Sequence, residues 1–262
     1  MCTDSSSLLA PAAAARLGVD VVPVAVTLDG EPFDEGANGI DEFYARLRAG
    51  AVATTSQPNP SYFAAAYARA ASEGAESLVS IHLDARISGT IASAETAARE
   101  APIPVVVVDT RTVSFGVAVC VRTASDAAAV GASAYEVAHA ARELGRRIQN
   151  VFVARARTGG RLPPDTGWSL MRFADGVASP LAACPTLDAA VAEMAQLVVR
   201  NGHGVAAAVG HAGGEAEKAA DALAHAILDG NRGSTVERYR VGAPVGAHTG
   251  PESLGAFWWS RE

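Results

Sequence analysis

The chain has 262 residues, 49% of them hydrophobic, which is enough to build one large domain or two small ones. Its formal net charge is −7, so we expect no nucleic-acid partner and at most transient contact with a membrane. Three cysteines without CxxC spacing disfavour a zinc site and favour reduced thiols in the cytoplasm. No apolar run has the length of a membrane span, and the first residues do not resemble a signal peptide.

The first predicted element is short. Thr3-Asp4-Ser5 is typical of a strand end followed by a helix cap, yet almost no strand precedes it. Either the first strand is very short or the native chain begins upstream of Met1, and we favour the second explanation. Val21 to Leu28 then predicts a strand at the edge of a sheet, because Pro23 interrupts it.

Strands and helices alternate in the next part of the chain. Helices are predicted for Ile40 to Leu47, from Asn59-Pro60 onward, and for Ser88 to Glu100. The apolar runs Leu78 to Leu83 and Val105 to Val108 lack polar alternation, which indicates buried parallel strands with helices on both faces. This part of the chain therefore predicts an α/β domain with a mostly parallel sheet.

The pattern changes near residue 147. The predicted strands and helices after it are Asn150 to Ala154 (strand), Gly176 to Ala183 (irregular strand or hairpin), Leu187 to Val199 (helix), Val205 to Gly210 (strand), Glu215 to Leu228 (helix), and Thr235 to Val241 with Pro244 to Ala247 (two strands paired as neighbours). We therefore predict two α/β domains, residues 1–148 and 149–262, with no long linker between them.

Four polar clusters lie where the chain is expected to turn. They are Thr3-Asp4-Ser5, Thr54-Thr55-Ser56-Gln57-Pro58, Ser88-Gly89-Thr90 and His248-Thr249-Gly250-Pro251. Taken singly, each is typical of a helix cap or a polar loop, with Ser88 as an N-cap and His248 ending an apolar strand. Hydroxyls and free amides at helix starts also suit an anionic head group, and Gly89 would let a ligand approach the backbone.

Two other functions use the same residues. A hydrolytic triad could draw on Ser56 or Ser88, on His248, and on Asp4 or Asp109, but the chain has no Gly-x-Ser-x-Gly elbow. A binder of a phosphorylated or other anionic small molecule would also use helix starts, but there is no Walker pattern and no metal-ligand cluster. A purely structural role would leave the four clusters unexplained.

The clusters, taken in order, resemble the DegV family of bacterial fatty-acid-binding proteins. The matching segments run through most of the chain and are Thr3-Asp4-Ser5-Ser6, Val22-Pro23-Val24, Thr55-Ser56-Gln57-Pro58, Ser88-Gly89-Thr90, Asp109, Gly159-Gly160-Arg161 and His248-Thr249-Gly250-Pro251. Each fragment is weak alone, but their joint order is specific. The resemblance implies two α/β domains and a non-catalytic carrier, without a metal or cofactor, that buries an acyl chain such as palmitate or oleate in an apolar tunnel.

The resemblance also implies roles for individual residues. Thr55 and Ser88 would hydrogen-bond the fatty carboxylate, with the amides near Gly89 and Thr90 beside them and the site at the domain interface. His248 would lie next to the head group. The supporting residues would be Ser56, Asp4 and Arg161.

This chain departs from the family pattern in two places that bear on function. Asp84 and Ala85 stand where family members commonly carry serines, so Asp84 must point away from a bound carboxylate or pair with Arg86. The resemblance further implies an acyl kinase subunit as a partner. The segment expected to dock it reads Ala182-Ala183-Cys184-Pro185-Thr186 and lacks the expected arginine, which puts that partnership in doubt.

Overall fold

The computed structural model describes residues 1–155, 167–200 and 204–260. The chain forms two compact units. The first contains Met1–Val26 and Thr55–Arg147, and the second contains Thr27–Thr54 and Ile148–Glu262. Residues 27–54 therefore group with the later part of the chain, whereas the sequence predicted a single division at 148/149. None of the helices in the described part of the chain is both long and apolar enough to cross a bilayer.

Up to residue 56 the elements are short. The strands are β1 (Cys2–Asp4), β2 (Asp20–Val22), β3 (Ala25–Leu28), β4 (Glu31–Phe33) and β5 (Ala53–Ser56), and the helices are α1 (Pro11–Leu17), α2 (Glu35–Asn38) and α3 (Ile40–Arg48). The prediction of one strand from Val21 to Leu28 is wrong, because this segment forms two strands, β2 and β3. Pro23 separates β2, an edge strand of one sheet, from β3, the central strand of a separate sheet with the order β4-β3-β5.

The first unit is built on a parallel sheet with the order β2-β1-β6-β7. Its remaining elements are α4 (Pro60–Ser72), β6 (Leu78–His82), α5 (Thr90–Ala98), β7 (Val105–Asp109), α6 (Phe115–Ala129) and α7 (Ala134–Arg147). Strand β1 has three residues and is a central strand of this sheet. All five residues of β6 are buried, which explains its lack of polar alternation.

Helix α4 begins where its capping residues predict. The Asn59 side chain accepts a hydrogen bond from the Ser61 amide at 2.9 Å, and Pro60 occupies the first helical position. Phe63 and Tyr67 lie one turn apart on α4 and are fully buried in a core with Cys2 and Leu78. The first unit thus anchors α4, and the loop that precedes it, to the sheet.

The second unit is built on a six-stranded mixed sheet with the order β10-β9-β8-β13-β11-β12. Its further elements are β8 (Gln149–Arg155), β9 (Trp168–Ala174), β10 (Val177–Cys184), α8 (Leu187–Val199), β11 (Val205–His211), α9 (Glu215–Gly230), β12 (Thr235–Arg240), α10 (Ala243–Thr249) and β13 (Leu254–Ser260). Strands β9 and β10 form a hairpin through Asp175 and Gly176, whose φ values of 53° and 78° suit a type I′ turn. The α/β fold class is confirmed.

The prediction of two paired strands near the end of the chain is wrong. Pro244 opens helix α10 rather than lying in a strand, because it takes an early helical position whose amide would have no helical partner. Strand β12 pairs in parallel with β11, and the strand that β11 pairs with on its other side is β13. His248 therefore belongs to a helix and does not end a strand.

Candidate functional site

The turn after β6 positions Ser88, Gly89 and Thr90 at the start of α5. The Ser88 and Thr90 hydroxyl oxygens lie 2.8 Å apart, and the Thr90 amide donates to Ser88 Oγ at 3.2 Å. Ser88 is half-buried and Thr90 is buried. The N-cap is Gly89 rather than Ser88, and no described side chain caps the helix from that position. This start of α5 lies at the carboxyl end of a parallel strand, where α/β folds usually bind ligands.

Two of the polar clusters come together in the first unit. The Gln57 side-chain amide lies directly on the backbone of Gly89, so that a Cβ at this glycine would overlap Gln57 Oε1. A side chain at position 89 would have to displace the exposed Gln57 side chain from this place. The contact brings the loop that follows Thr55 and Ser56 against the start of α5.

Thr55 and Ser56 end strand β5 and differ in their exposure. Successive side chains of a strand point to opposite faces, and here Thr55 is half-buried while Ser56 is exposed. Of the two hydroxyls, the Thr55 hydroxyl is therefore the better placed to meet a buried group.

Asp84 pairs with Arg86, which is one of the two arrangements that the sequence required. Arg86 Nε and Nη2 donate to the carboxylate at 2.9 and 2.6 Å, and the Arg86 amide donates at 2.9 Å. Burial alone would raise the pKa of the Asp84 carboxyl, but the Arg86 hydrogen bonds outweigh it and lower that pKa. The negative charge of Asp84 is thus compensated locally.

Asp4 has a structural role in a hydrogen-bonded chain of fully buried side chains. Its Oδ1 accepts from the Ser6 amide at 3.0 Å and caps the short helical turn Ser5–Ser7. Its Oδ2 lies 2.7 Å from His82 Nδ1, and His82 Nε2 lies 2.7 Å from Ser80 Oγ. The Tyr67 hydroxyl donates to Ser80 Oγ at 2.8 Å.

The sequence reasoning missed Tyr67, Ser80 and His82 as members of this network. The sequence pattern did contain an indication of Ser80 and His82. They interrupt an apolar strand at positions i and i+2, which places both side chains on one face of the sheet. Two buried polar groups on one face indicate a hydrogen-bonded network, because each must find a partner.

The remaining predicted residues lie elsewhere. His248 belongs to the second unit and is exposed in α10, and partial desolvation by its surroundings lowers the pKa of its imidazole. Arg161 lies outside the described residues. Asp109, the other acid considered for a triad, pairs with Arg111 at 3.1 Å. Within residues 1–155, 167–200 and 204–260, no three His, Cys, Asp or Glu side chains are grouped to hold a metal ion.

Comparison with known proteins identifies the family. The family model described as "Uncharacterised protein, DegV family" matches residues 1–261. A DegV domain-containing protein of Streptomyces coelicolor is 34% identical, over 99% of this chain and 97% of the relative.

Solved structures agree with this assignment. A DegV family protein from Thermus thermophilus, described for its fatty acid binding, matches with a TM-score of 0.88 and 29% identity, over 99% of this chain and 98% of the other. A DegV lipid binding protein from Thermotoga maritima has a TM-score of 0.88 at 22% identity, over 100% and 98%, and shows the same fold. The chain belongs to the DegV family.

Proposed function

We propose that this protein binds a long-chain fatty acid whose carboxylate is held around Ser88, Gly89 and Thr90, with Thr55 as a second hydroxyl. The observation that carries the proposal is the contact of Gln57 with Gly89, which joins the two hydroxyl-bearing segments in the first unit. The fatty acid binding described for the Thermus thermophilus relative supports it.

The hydrogen bonds at the start of α5 suit a carboxylate. If the Thr90 hydroxyl and amide both donate to Ser88 Oγ, the Ser88 hydroxyl keeps its own hydrogen for a ligand oxygen. Donation from Thr90 also polarises Ser88 and makes it a stronger donor. Thr55 would supply the next donor. A carboxylate that leaves water needs several such bonds to offset its lost hydration.

The pairing of Asp84 with Arg86 removes an objection to an anionic ligand. An unpaired carboxylate at the turn after β6 would repel a fatty carboxylate. The guanidinium of Arg86 neutralises Asp84 through two side-chain donors. Asp84 is therefore compatible with a fatty acid at the neighbouring turn.

The acyl chain would supply most of the affinity. Each methylene removed from water contributes about 0.8 kcal/mol, so a palmitate or oleate chain could contribute on the order of 10 kcal/mol before ordering costs. The hydroxyls would fix the orientation of the head group. His248, Ser56 and Arg161 enter the proposal only by resemblance to the family, and Asp4 enters as a scaffold residue.

We assign the protein the role of a non-catalytic carrier in the cytoplasm, with the fatty acid as ligand and no cofactor. The cysteines Cys2, Cys120 and Cys184 are all free and buried, which fits a reducing compartment. Burial raises the pKa of the Cys2 and Cys120 thiols to about 12, so neither is a reactive thiolate. The kinase partnership is not part of the proposal, because Ala182 and Ala183 on β10 offer no cation for docking.

Thr55→Ala and Ser88→Ala test the head-group assignment. Each removes one hydrogen bond to a charged acceptor, so each should weaken binding of oleate to the delipidated chain by about tenfold. The matched controls are Thr54→Ala, the exposed neighbour of Thr55 in β5, and Ser61→Ala, an exposed serine on α4. Both controls should bind oleate as the parent chain does, measured by isothermal titration calorimetry.

The outcomes separate the possible functions. Undiminished oleate binding by the Thr55→Ala, Ser88→Ala double variant would show that the carboxylate lies elsewhere. A site for a phosphorylated small molecule, the other candidate for these helix-start donors, would appear as binding of a phosphomonoester that the double variant loses, with no uptake of oleate.

A further inference from the structure

A second strand–helix–strand arrangement lies in the second unit. Strand β11 leads through Ala212-Gly213-Gly214 into α9, which returns to the parallel strand β12. Gly213 and Gly214 have φ values of 94° and 61°, a left-handed region that favours glycine. Gly213 is buried and Gly214 is exposed, and no described side chain caps the start of α9. This is the edge at which parallel strands and helix starts receive anions.

His211, the last residue of β11, carries a buried polar atom without a partner at this edge. It is 8% exposed, and its Nδ1 has no hydrogen-bond partner among the described residues. Along β11 it shares a face with Ala207 and Val209, which pack in one core with residues of α9. The imidazole is therefore aimed at the region under the first turns of α9. An unpaired buried nitrogen is costly, so such an atom indicates a place for a polar ligand.

Arg240 brings a guanidinium to the same place. It is the register partner of His211 in β12, so the two side chains lie side by side on one face of the sheet. A Cβ on Gly213 would lie 2.5 Å from Arg240 Nη1 and 2.7 Å from Nη2. The guanidinium lies 5.4 Å from the centre of the Tyr44 ring, and its Nε is buried without a partner in the described chain.

Arg48 adds a second guanidinium. Its Nη2 would lie 3.4 Å from a Cβ on Gly214, and it donates to the Pro251 carbonyl at 3.2 Å. Arg48 is exposed, as Gly214 is, so this side of the turn is open to solvent. A tetrahedral oxyanion at the two glycines would meet donors from α3, β11, β12 and the first turn of α9.

The neighbouring carboxylates do not block such an anion. Asp41 pairs with Arg240 at 2.6 Å, but its side chain is 92% exposed, so the pair is weak and an incoming anion can replace it. Asp221 is engaged by Arg238. Glu215 and Glu217 in the first turn of α9 are exposed, and water screens their charge.

We propose that Gly213, Gly214 and the first amides of α9, with His211, Arg240 and Arg48, bind a phosphate group. A phosphate offers three or more oxygens to donors that converge from several directions, whereas a carboxylate offers two. The group could come from inorganic phosphate or from a phosphomonoester. None of these residues belongs to the fatty-acid site proposed above.

The test is a titration of the full chain, labelled with ¹⁵N, with inorganic phosphate or glycerol 3-phosphate at constant ionic strength in chloride. Amide resonances of residues 212–217 should shift and saturate, and the tighter of the two probes identifies the source of the phosphate. Arg240→Gln should weaken binding by about tenfold, and Arg48→Gln by a smaller factor. The matched control is Arg46→Gln, which removes another α3 arginine, paired with Asp29 at 3.5 Å, and should bind as the parent chain does.

The absence of saturable shifts with both probes overturns the proposal, as does equal binding by the Arg48→Gln and Arg46→Gln variants. Arg48 is exposed, so this pair of variants stays informative even if Arg240→Gln fails to fold. Oleate binding, measured on the same samples, should not change in any of the three variants. A failed phosphate test therefore leaves the fatty-acid proposal standing.

Discussion

At the scale of single residues, the buried chain from Tyr67 to Asp4 is the main polar feature of the first unit. Each group in this chain can donate its hydrogen to the next group, from Tyr67 through to the Asp4 carboxylate. Tyr67 donates to Ser80, Ser80 to His82 Nε2, and His82 Nδ1 to the Asp4 carboxylate. Every side chain in it is fully buried. The network joins β1, α4 and β6.

The same network has the connectivity of a Ser-His-Asp triad but not its accessibility. Ser80 Oγ lies 2.7 Å from His82 Nε2, and His82 Nδ1 lies 2.7 Å from Asp4 Oδ2. The same order of contacts links the three residues of a serine hydrolase triad. A substrate carbonyl could not reach Ser80, which is 0% exposed and already accepts from Tyr67. The arrangement is therefore structural.

Tyr67→Phe tests this structural role. Loss of one buried hydrogen bond should lower the free energy of unfolding by about 1 kcal/mol, measured by urea denaturation. The effect should stay moderate, because Ser80 keeps His82 as a partner.

Tyr62→Phe is the matched control for this prediction. Tyr62 lies on the same helix with 55% of its surface exposed, so its substitution should change the free energy of unfolding by less than about 0.5 kcal/mol. Equal unfolding midpoints for the two variants would contradict the structural role of the network.

The sequence predicts residue roles well where the partner is local. Asp84 with Arg86, and Asn59 as the cap of α4, involve partners two residues away, so the pattern contains both members. Asp4 and His82 are 78 positions apart. Their pairing depends on β1 and β6 being neighbours in the sheet, and the sequence pattern does not predict that order of strands.

At the scale of elements, α10 shows how close packing selects a helix. Gly246 lies against α3, where an added Cβ would be 2.5 Å from the Tyr44 hydroxyl and 3.0 Å from Phe43 Cε1. Tyr44 is held in turn by a 2.8 Å hydrogen bond to the Val241 carbonyl. A glycine in a short helix is unfavourable by itself, so its presence here reflects the approach of α3.

Gly246→Ala should therefore destabilise the protein although alanine is the better helix former. The clash with two fully buried rings should cost about 1–3 kcal/mol, measured as the free energy of unfolding. The clash with the hydroxyl should shrink in a Tyr44→Phe background, which removes the nearest atom. A double-mutant cycle without coupling between the two positions would contradict this account of α10.

Predictions of elements succeeded where local signals were strong and failed where tertiary contacts decide. Helix α8 was predicted with its observed bounds, Leu187–Val199. The segment from Pro244 to Ala247 was predicted as a strand because of its apolar composition, and the packing that makes it helical comes from Phe43 and Tyr44, about 200 positions earlier. Strand β13 pairs with β8 on one side and with β11 on the other, and the sequence pattern did not predict it.

At the scale of the whole molecule, the chain makes two α/β units that are not separated at one point. Residues 27–54 belong to the second unit, although segments of the first unit precede and follow them. Within them, the buried side chains of α3 are Phe43, Tyr44 and Leu47. The sequence could not show to which unit residues 27–54 belong, because α3 has the pattern of any amphipathic helix. The fold class was predictable, whereas the assignment of segments to units was not.

Native mass spectrometry of the chain, purified without added lipid, tests whether this DegV family member carries a long-chain fatty acid. We expect a species heavier than the bare chain by one fatty acid, which denaturation releases and which lipid analysis identifies as a chain of the palmitate or oleate class. A bare chain that also takes up neither palmitate nor oleate when they are supplied would contradict the account.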